Sequence, residues 1–177
     1  MTNRMPHLKS YSAIGVLLAL VVGVAWYASV HSAASTPVLA DSVPPTWTEY
    51  TDDVFHFKVS YPADWDVHEY AEDEQGARTV VFEGPSPGEG FQVFVVPYAQ
   101  SSITPERFKT DDPSGVMKDA KEIMVDGAAA KVFTGHNDAM GDTREVWFIH
   151  GGFLYEVTTY KGFDHELTEL LQSWKFI

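Results

Sequence analysis

The chain has 177 residues, of which 45% are hydrophobic and 14% aromatic, so it can build one domain with a buried core, and wholesale disorder is excluded. It contains no cysteine, which excludes disulfide bonds, a thiolate nucleophile, Cys-ligated metal sites and a lipoprotein anchor. The formal charge is −13, and because residues 1–40 contribute only Arg4 and Lys9, the rest of the chain carries −15; this disfavours nucleic acid and anionic lipid as partners and favours divalent cations or basic protein surfaces.

An uncharged apolar segment follows a short basic tail. Residues 11–30 (YSAIGVLLALVVGVAWYASV) contain no charged residue, and at about 1.5 Å per helical residue they would cover the hydrocarbon layer of a membrane. Basic residues precede the segment, and Trp26 and Tyr27 lie near its far end. This arrangement predicts a cytoplasmic tail over residues 1–10, a transmembrane or signal-anchor helix over 11–30 and an extracytoplasmic domain.

The sequence leaves open whether this segment is cleaved. Residues 32–34 (Ser-Ala-Ala) and 38–40 (Val-Leu-Ala) place small residues where a signal peptidase reads them, so the product is either a single-pass membrane protein or a secreted one. Residues 31–49, rich in Ser, Ala and Pro, are predicted to be a linker. Residues 50–177 are predicted to form the folded domain.

The domain opens with the two-residue period of a half-buried strand. Apolar residues alternate with polar ones at Phe55, Phe57, Val59 and Tyr61. If residues 62–64 (Pro-Ala-Asp) form a turn, Tyr61 pairs with Trp65 and Val59 with Val67, and the apolar residues of both strands share one face. The pattern therefore predicts a hairpin.

Three further strand pairs are predicted from apolar runs separated by turn signals. They are 79–83 with 91–96 around the Pro/Gly-rich loop 84–90, 122–125 with 128–133 around Asp126-Gly127, and 144–150 with 153–160 around Gly151-Gly152.

Two helices are predicted between and after these strands. The first begins with Thr104 as N-cap and Pro105 in the first turn, with Ile103 and Phe108 placed as a hydrophobic staple, and it ends at residues 111–113. The second follows Asp164 as N-cap and has an apolar stripe at Leu167, Leu170, Leu171 and Trp174. Hairpins with little helix between them predict an α+β fold with a mostly antiparallel sheet.

Three stretches of the domain resemble PsbP-like domains, named for an extrinsic subunit of the photosynthetic oxygen-evolving complex. They are Phe55-x-Phe57-x-Val59-x-Tyr61-Pro62-x-x-Trp65 preceded by Tyr50, Ile123-x-Val125-Asp126-Gly127-x-x-Ala130, and Leu170-Leu171-x-Ser173-Trp174-Lys175-Phe176. The resemblance implies an α/β/α sandwich around an antiparallel sheet, a lumenal or extracytoplasmic setting and a non-catalytic accessory role. The matching positions are core or turn residues, so they concern the fold and assign no metal ligand.

Residues 84–88 (Gly-Pro-Ser-Pro-Gly) satisfy the Gly-x-Ser-x-Gly pattern of serine hydrolases. In those enzymes the backbone N–H of the residue after the serine helps to form the oxyanion hole. Here that residue is Pro87, which has no N–H. The pattern therefore predicts a plain loop, and no catalytic residue is assigned.

Two histidine pairs are candidates for a metal site. The predicted first hairpin places His56 diagonal to His68 on its outward face, but it also puts Lys58 opposite His68, where it would repel a cation. His165 and Glu169 lie four residues apart on the last helix. Neither pair has a third ligand, so solvated side chains are favoured.

Two acidic stretches are candidates for weak calcium binding. Residues 72–74 are Glu-Asp-Glu, and residues 136–138 (His-Asn-Asp) lie close to Asp142. Both offer oxygen ligands, but neither has EF-hand spacing, and solvated turns are favoured. The metal site is left unknown, with no cofactor expected beyond a weakly bound divalent cation.

The sequence is compatible with two functions. The first is a membrane-anchored, extracytoplasmic, non-catalytic binding or accessory module with a protein partner. The alternative is a small extracytoplasmic enzyme that uses a metal or carboxylates, because carboxylate pairs assembled by folding are invisible in a sequence.

Overall fold

The computed structural model describes residues 46–72, 76–137 and 140–177. The predicted tail and apolar segment, residues 1–30, lie outside this part, and so does the linker up to residue 45. Within the described ranges no helix combines the length and the hydropathy needed to cross a membrane.

The described residues form ten strands and two helices. In chain order they are β1 (Trp47–Asp52), β2 (Phe57–Pro62), β3 (Asp66–Ala71), β4 (Arg78–Glu83), β5 (Gly90–Pro97), α1 (Pro105–Asp111), β6 (Lys118–Val125), β7 (Ala128–Asn137), β8 (Gly141–His150), β9 (Phe153–Tyr160), α2 (Asp164–Ser173) and β10 (Lys175–Phe176). They build a seven-stranded sheet in the order β3-β4-β5-β9-β8-β7-β6 and a three-stranded sheet in the order β1-β2-β10. Neighbouring strands in both sheets are antiparallel, which confirms the predicted α+β class with a mostly antiparallel sheet and two helices.

The predicted first hairpin is wrong. Strand β2 pairs with β1 and β10, so that Val59 faces Tyr50 across the ladder. Strand β3 belongs to the other sheet and pairs with β4, so that Val67 faces Phe82. The turn itself exists, since the Trp65 N–H donates to the Pro62 carbonyl at 3.1 Å, but it carries the chain from one sheet to the other. Strand β1 begins at Trp47, inside the stretch predicted to be linker.

The other three strand pairs are confirmed. Strands β4 and β5, β6 and β7, and β8 and β9 are antiparallel neighbours in the predicted order. Asp126 and Gly127 have φ values of +42° and +86°, and Gly151 and Gly152 have +58° and +87°. These are the left-handed conformations that a two-residue type I′ turn requires.

Helix α2 and the three-stranded sheet cover one face of the seven-stranded sheet, which we call the inner face. The largest core cluster lies between them and contains Phe57 from β2, Val93 from β5, Tyr155 from β9 and Leu170 from α2. Trp174, at the end of α2, is fully buried and stacks on Phe57 with 4.5 Å between ring centroids. The stripe of apolar residues predicted for this helix is therefore its docking surface.

Helix α1 lies against the opposite, outer face. Thr104 caps it as predicted, because its side chain accepts the Arg107 N–H at 3.1 Å. Phe108 packs on Phe133 and Trp147, with ring centroids 5.9 and 5.3 Å apart.

The predicted N-cap of α2 is wrong. Phe163 occupies that position without a side-chain hydrogen bond, and Asp164 is the first helical residue. The Asp164 carboxylate binds Arg144 on β8. Asp164 therefore forms an ion pair that connects the helix to the sheet.

Candidate functional site

A cleft of about 460 Å³ lies on the inner face between α2 and strands β6–β8. We call it the helix cleft. Its apolar lining is only partly covered, since Ile123, Val132 and Leu171 are half-buried. Met124, on the edge strand β6, is 65% exposed at the rim of the cleft, and because it alternates with the inner-face residues Ile123 and Val125, its side chain points toward the outer face. A large apolar side chain that remains exposed beside a concave, partly apolar surface is typical of an interaction site.

An ion pair between the helix and the sheet lines the helix cleft. Arg144 donates from Nε to Asp164 Oδ1 at 2.5 Å and from its second terminal nitrogen to Asp164 Oδ2 at 3.2 Å. This hydrogen bonding lowers the pKa of Asp164 and raises that of Arg144. Both groups are therefore charged at neutral pH and paired with each other. Among the charged residues that line the cleft, Lys121 has no ion pair within the described ranges.

A second, smaller cavity of about 170 Å³ lies near the other edge of the seven-stranded sheet, where strands β4, β5 and β9 meet the loop 84–90. We call it the loop cavity. Val81, Gln92 and Thr158 lie side by side on these three strands, because Val81 pairs with Gln92 and Gln92 with Thr158. Tyr160 and Met140 add to its wall.

Gly90 helps to form the loop cavity because it has no side chain. Its φ is +151°, and a Cβ at this position would lie 2.5 Å from the Phe82 carbonyl oxygen, so the backbone geometry requires glycine. The Thr159 hydroxyl donates to the Gly90 carbonyl at 2.6 Å and fixes the start of β5.

Three carboxyl groups are buried on the outer face near α1. Glu145 on β8 accepts hydrogen bonds from the side chains of Thr143, Trp147 and Thr158 at 2.7, 3.2 and 2.6 Å. Burial nevertheless raises the pKa of Glu145 above its ordinary value.

The other two buried carboxyl groups face each other between strand and helix. Glu156 on β9 faces Asp111 on α1, and Asp111 binds Arg107 one turn earlier. Burial and the hydrogen bond with Asp111 raise the pKa of Glu156 well above its ordinary value. A protonated Glu156 can donate a hydrogen bond to Asp111, which avoids repulsion between two negative charges.

The structure does not bring His56 and His68 together on one hairpin. His56 lies in the turn before β2 with a φ of +56°, whereas His68 pairs in register with Val81 in the other sheet. Lys58, predicted opposite His68, instead faces Thr51 and binds Glu49 at 3.0 Å. The predicted register of this candidate site is wrong because its two strands belong to different sheets.

The remaining metal candidates show ion pairs. His165 lies 3.5 Å from Glu169 on the exposed side of α2. The Asp142 carboxylate lies 2.8 Å from His136 Nδ1 and accepts from Lys161 at 3.3 Å, and hydrogen bonding to these two residues lowers the pKa of Asp142. Residues 73–75 and 138 lie outside the described part, and within it no group of three or more His, Asp and Glu side chains is arranged to hold a metal ion.

The Gly-x-Ser-x-Gly stretch is a loop between two strands. The Gly84 N–H donates to the Glu89 carbonyl at 2.9 Å, and the Glu89 N–H donates to the Ser86 carbonyl at 3.0 Å. The chain then enters strand β5, and a nucleophile elbow would require a helix here. This confirms the predicted plain loop.

Neither the three buried carboxyl groups nor the two cavities were predicted from the sequence. A weak signal was present, because Glu156 interrupts an otherwise uncharged strand and Glu145 occupies the middle of β8. A charged residue in a strand buried on both faces needs a partner. The identity of that partner depends on helix α1 crossing the sheet, which no local pattern specifies.

Comparison with known proteins extends the fold assignment. No family model matches the sequence, and no curated protein matches it. The solution structure of cyanobacterial PsbP (CyanoP) from Synechocystis sp. PCC 6803 is similar over 80% of this chain and 98% of its own, with a TM-score of 0.56 and 14% sequence identity. The chain therefore has a PsbP-like fold, which confirms the resemblance noted in the sequence. At this identity the likeness concerns the fold alone.

Two further solved structures are more distant. One is a crystal structure from Bacteroides thetaiotaomicron VPI-5482, with 16% identity, a TM-score of 0.49 and coverage of 73% of this chain and 48% of that one. The other is PA94, a protein of unknown function from Pseudomonas aeruginosa, with 14% identity, a TM-score of 0.38 and coverage of 69% and 89%. Neither adds to the assignment.

Proposed function

We propose that this protein is a non-catalytic accessory module that binds a protein partner through the helix cleft. The observation that carries the proposal is the cleft itself, in which the half-buried apolar side chains of Ile123, Val132 and Leu171 line a concavity between α2 and the edge of the sheet. The PsbP-like fold agrees with this role.

The chemistry of the cleft supports binding better than catalysis. Arg144 and Asp164 carry opposite charges and neutralise each other in a bidentate ion pair. A general base needs a pKa near the working pH, and the pairing lowers the pKa of Asp164 instead. Contacts to apolar side chains in the centre with charged groups around them are the usual composition of a protein interface.

The proposal includes the location of the domain. Residues 11–30 hold the chain at a membrane as a transmembrane helix or signal anchor, residues 1–10 stay in the cytoplasm, and the folded domain lies on the extracytoplasmic side. If the apolar segment is cleaved, the same domain is secreted. The net charge of −15 after residue 40 favours a partner with a basic surface around the contact.

Site-directed photo-cross-linking in intact cells tests the cleft. A photoreactive phenylalanine analogue replaces Gln172, an exposed residue of α2 that lines the cleft, in the full chain. A second variant carries it at Val54, which is 58% exposed in the turn between β1 and β2. We expect a single adduct of defined mass from position 172 and none from position 54. Equal adduct patterns from the two positions, or an adduct of twice the mass of the chain alone, would contradict a cleft-specific partner.

A substitution that fills the helix cleft tests whether the adduct depends on the cleft. Thr168 is exposed on α2 and lines the cleft, so Thr168→Lys places a long charged side chain into it without disturbing the core. His165→Lys adds a similar side chain to the same helix at a position that does not line the cleft. We expect the position 172 adduct to disappear with Thr168→Lys and to persist with His165→Lys.

A further inference from the structure

The loop cavity is separate from the helix cleft. It opens on strands β4, β5 and β9 and on the loop 84–90, whereas the cleft lies against strands β6–β8. Gln92 and Thr158 in its floor belong to the outer face of the sheet, because they alternate with the inner-face core residues Val93 and Val157. A ligand in the loop cavity therefore does not compete with a partner in the cleft.

The size of the loop cavity limits the ligand to a small molecule. Its volume of about 170 Å³ is close to that of an apolar cavity of about 150 Å³ that accommodates a benzene ring. Val81, Pro85, Pro87 and Met140 supply apolar surface around it, and Tyr160 supplies an aromatic ring. These walls suit one ring or a short branched chain.

The charges around the loop cavity have one sign. Its lining includes two charged residues, Glu83 and Glu89, and no Lys, Arg or His among the residues that the structure describes. Glu89 Oε2 accepts the Ser86 N–H at 3.2 Å, so this carboxylate closes the loop. Glu83 is partly exposed and lies 4.0 Å from the nearest basic atom, His68 Nε2.

The floor of the loop cavity adds two hydrogen-bonding side chains to these carboxylates. The Gln92 side chain is 5% exposed and lines the cavity. The Thr158 hydroxyl donates to Glu145 Oε2 at 2.6 Å, so its oxygen can still accept a hydrogen bond from above. Carboxylates, hydroxyl oxygens and the ring face of Tyr160 all attract a positively charged donor.

We propose that the loop cavity binds a small organic ammonium ion that carries a single ring. The ring lies between Pro85, Pro87 and Met140, and the ammonium group points toward Glu83 and Tyr160. Apolar contact supplies part of the affinity, and the two carboxylates select the positive charge. An organic anion of similar size is rejected because the described residues of the cavity lining offer it no basic side chain.

Three probes that carry one ring, are similar in size and differ in charge test this site. The full-length chain is placed in phosphatidylcholine nanodiscs and titrated with benzylammonium, benzyl alcohol and benzoate by isothermal calorimetry, with empty nanodiscs as the blank. We expect saturable binding of one benzylammonium per chain, weaker binding of benzyl alcohol and no binding of benzoate. Benzoate binding as tightly as benzylammonium, or no saturable binding of benzylammonium, would overturn the proposal.

A matched pair of variants locates the site. Glu83→Gln removes one of the two charges of the loop cavity, and we expect it to weaken benzylammonium binding at least about threefold while leaving benzyl alcohol unchanged. Glu122→Gln makes the same change on β6, at the opposite edge of the sheet, and is expected to have no effect. An equal loss in both variants would place the cation elsewhere on the acidic surface. Cross-linking from position 172 remains unchanged in Glu83→Gln, so failure here is distinguishable from failure of the proposed cleft.

Discussion

At the scale of single residues, Asp52 and Arg78 connect the two sheets. Asp52 is buried at the end of β1, and its Oδ1 accepts the N–H groups of Val54 and Phe55 at 2.9 Å each. Arg78 at the start of β4 donates to Asp52 Oδ2 at 2.9 Å and to Glu69 on β3 at 3.1 Å. A buried carboxylate that loses its cation is left without compensation for its desolvation.

We predict that Arg78→Met destabilises the fold by about 2–3 kcal/mol, since breaking a buried ion pair costs about 3–5 kcal/mol and Arg78 is partly exposed. Urea unfolding of the full chain in a non-ionic detergent, followed by tryptophan fluorescence, measures the difference. The control is Lys58→Met, which breaks the exposed pair with Glu49 and should change the stability by no more than about 0.5–1 kcal/mol. An equal loss of unfolding free energy in the two variants would show that the burial of Asp52 does not strengthen its ion pair with Arg78.

At the scale of secondary-structure elements, the contact between α1 and β9 depends on protonation. Burial raises the pKa of Glu156, and the hydrogen bond with Asp111 raises it further, while Arg107 opposes the shift. The native state therefore holds a proton that the unfolded chain releases near its ordinary pKa of 4.5. The stabilisation is complete below that value and is lost as the pH rises through the native pKa.

We predict that Glu156→Gln removes this pH dependence. The glutamine amide is a hydrogen-bond donor that needs no bound proton, so the variant should match the wild type at pH 4 and unfold at a higher temperature at pH 8. Thermal unfolding of the full chain at several pH values measures the gap, with Glu122→Gln as the control. A gap that stays constant from pH 4 to pH 8 would show that Glu156 is ionised in the native state.

The elements differ in how far the sequence predicts them. The turns at Asp126-Gly127 and Gly151-Gly152 were predictable because positive φ at both positions is a local requirement. The turn at residues 62–65 was also predictable, but its strands do not pair with each other. Strand β2 pairs with β10 near the end of the chain, and no local signal specifies a partner so distant in sequence.

At the scale of the whole molecule, the two cavities lie near opposite ends of one sheet and on different faces. Their linings come from segments far apart in the chain, such as Val81 with Thr158 and Ile123 with Leu171. The alternation of residues predicts which side chains share a face, but the strand order decides which of them become neighbours. The fold class was therefore accessible from sequence, and the candidate sites were not.

At the same scale, the account depends on the proposal that the acidic domain lies on the extracytoplasmic side of a membrane. The absence of cysteine makes the claim testable by labelling, because one introduced thiol is then the only one in the chain. Asn3→Cys lies in the predicted cytoplasmic tail, and Val54→Cys is exposed in the folded domain.

Intact cells that express each variant with a C-terminal tag are treated with a membrane-impermeant maleimide and compared with lysed cells. We predict that Val54→Cys is labelled in intact cells, and that Asn3→Cys is labelled only after lysis or is missing from a shortened, cleaved product. Labelling of Val54→Cys only after lysis, in a full-length chain found in the soluble fraction, would contradict the account.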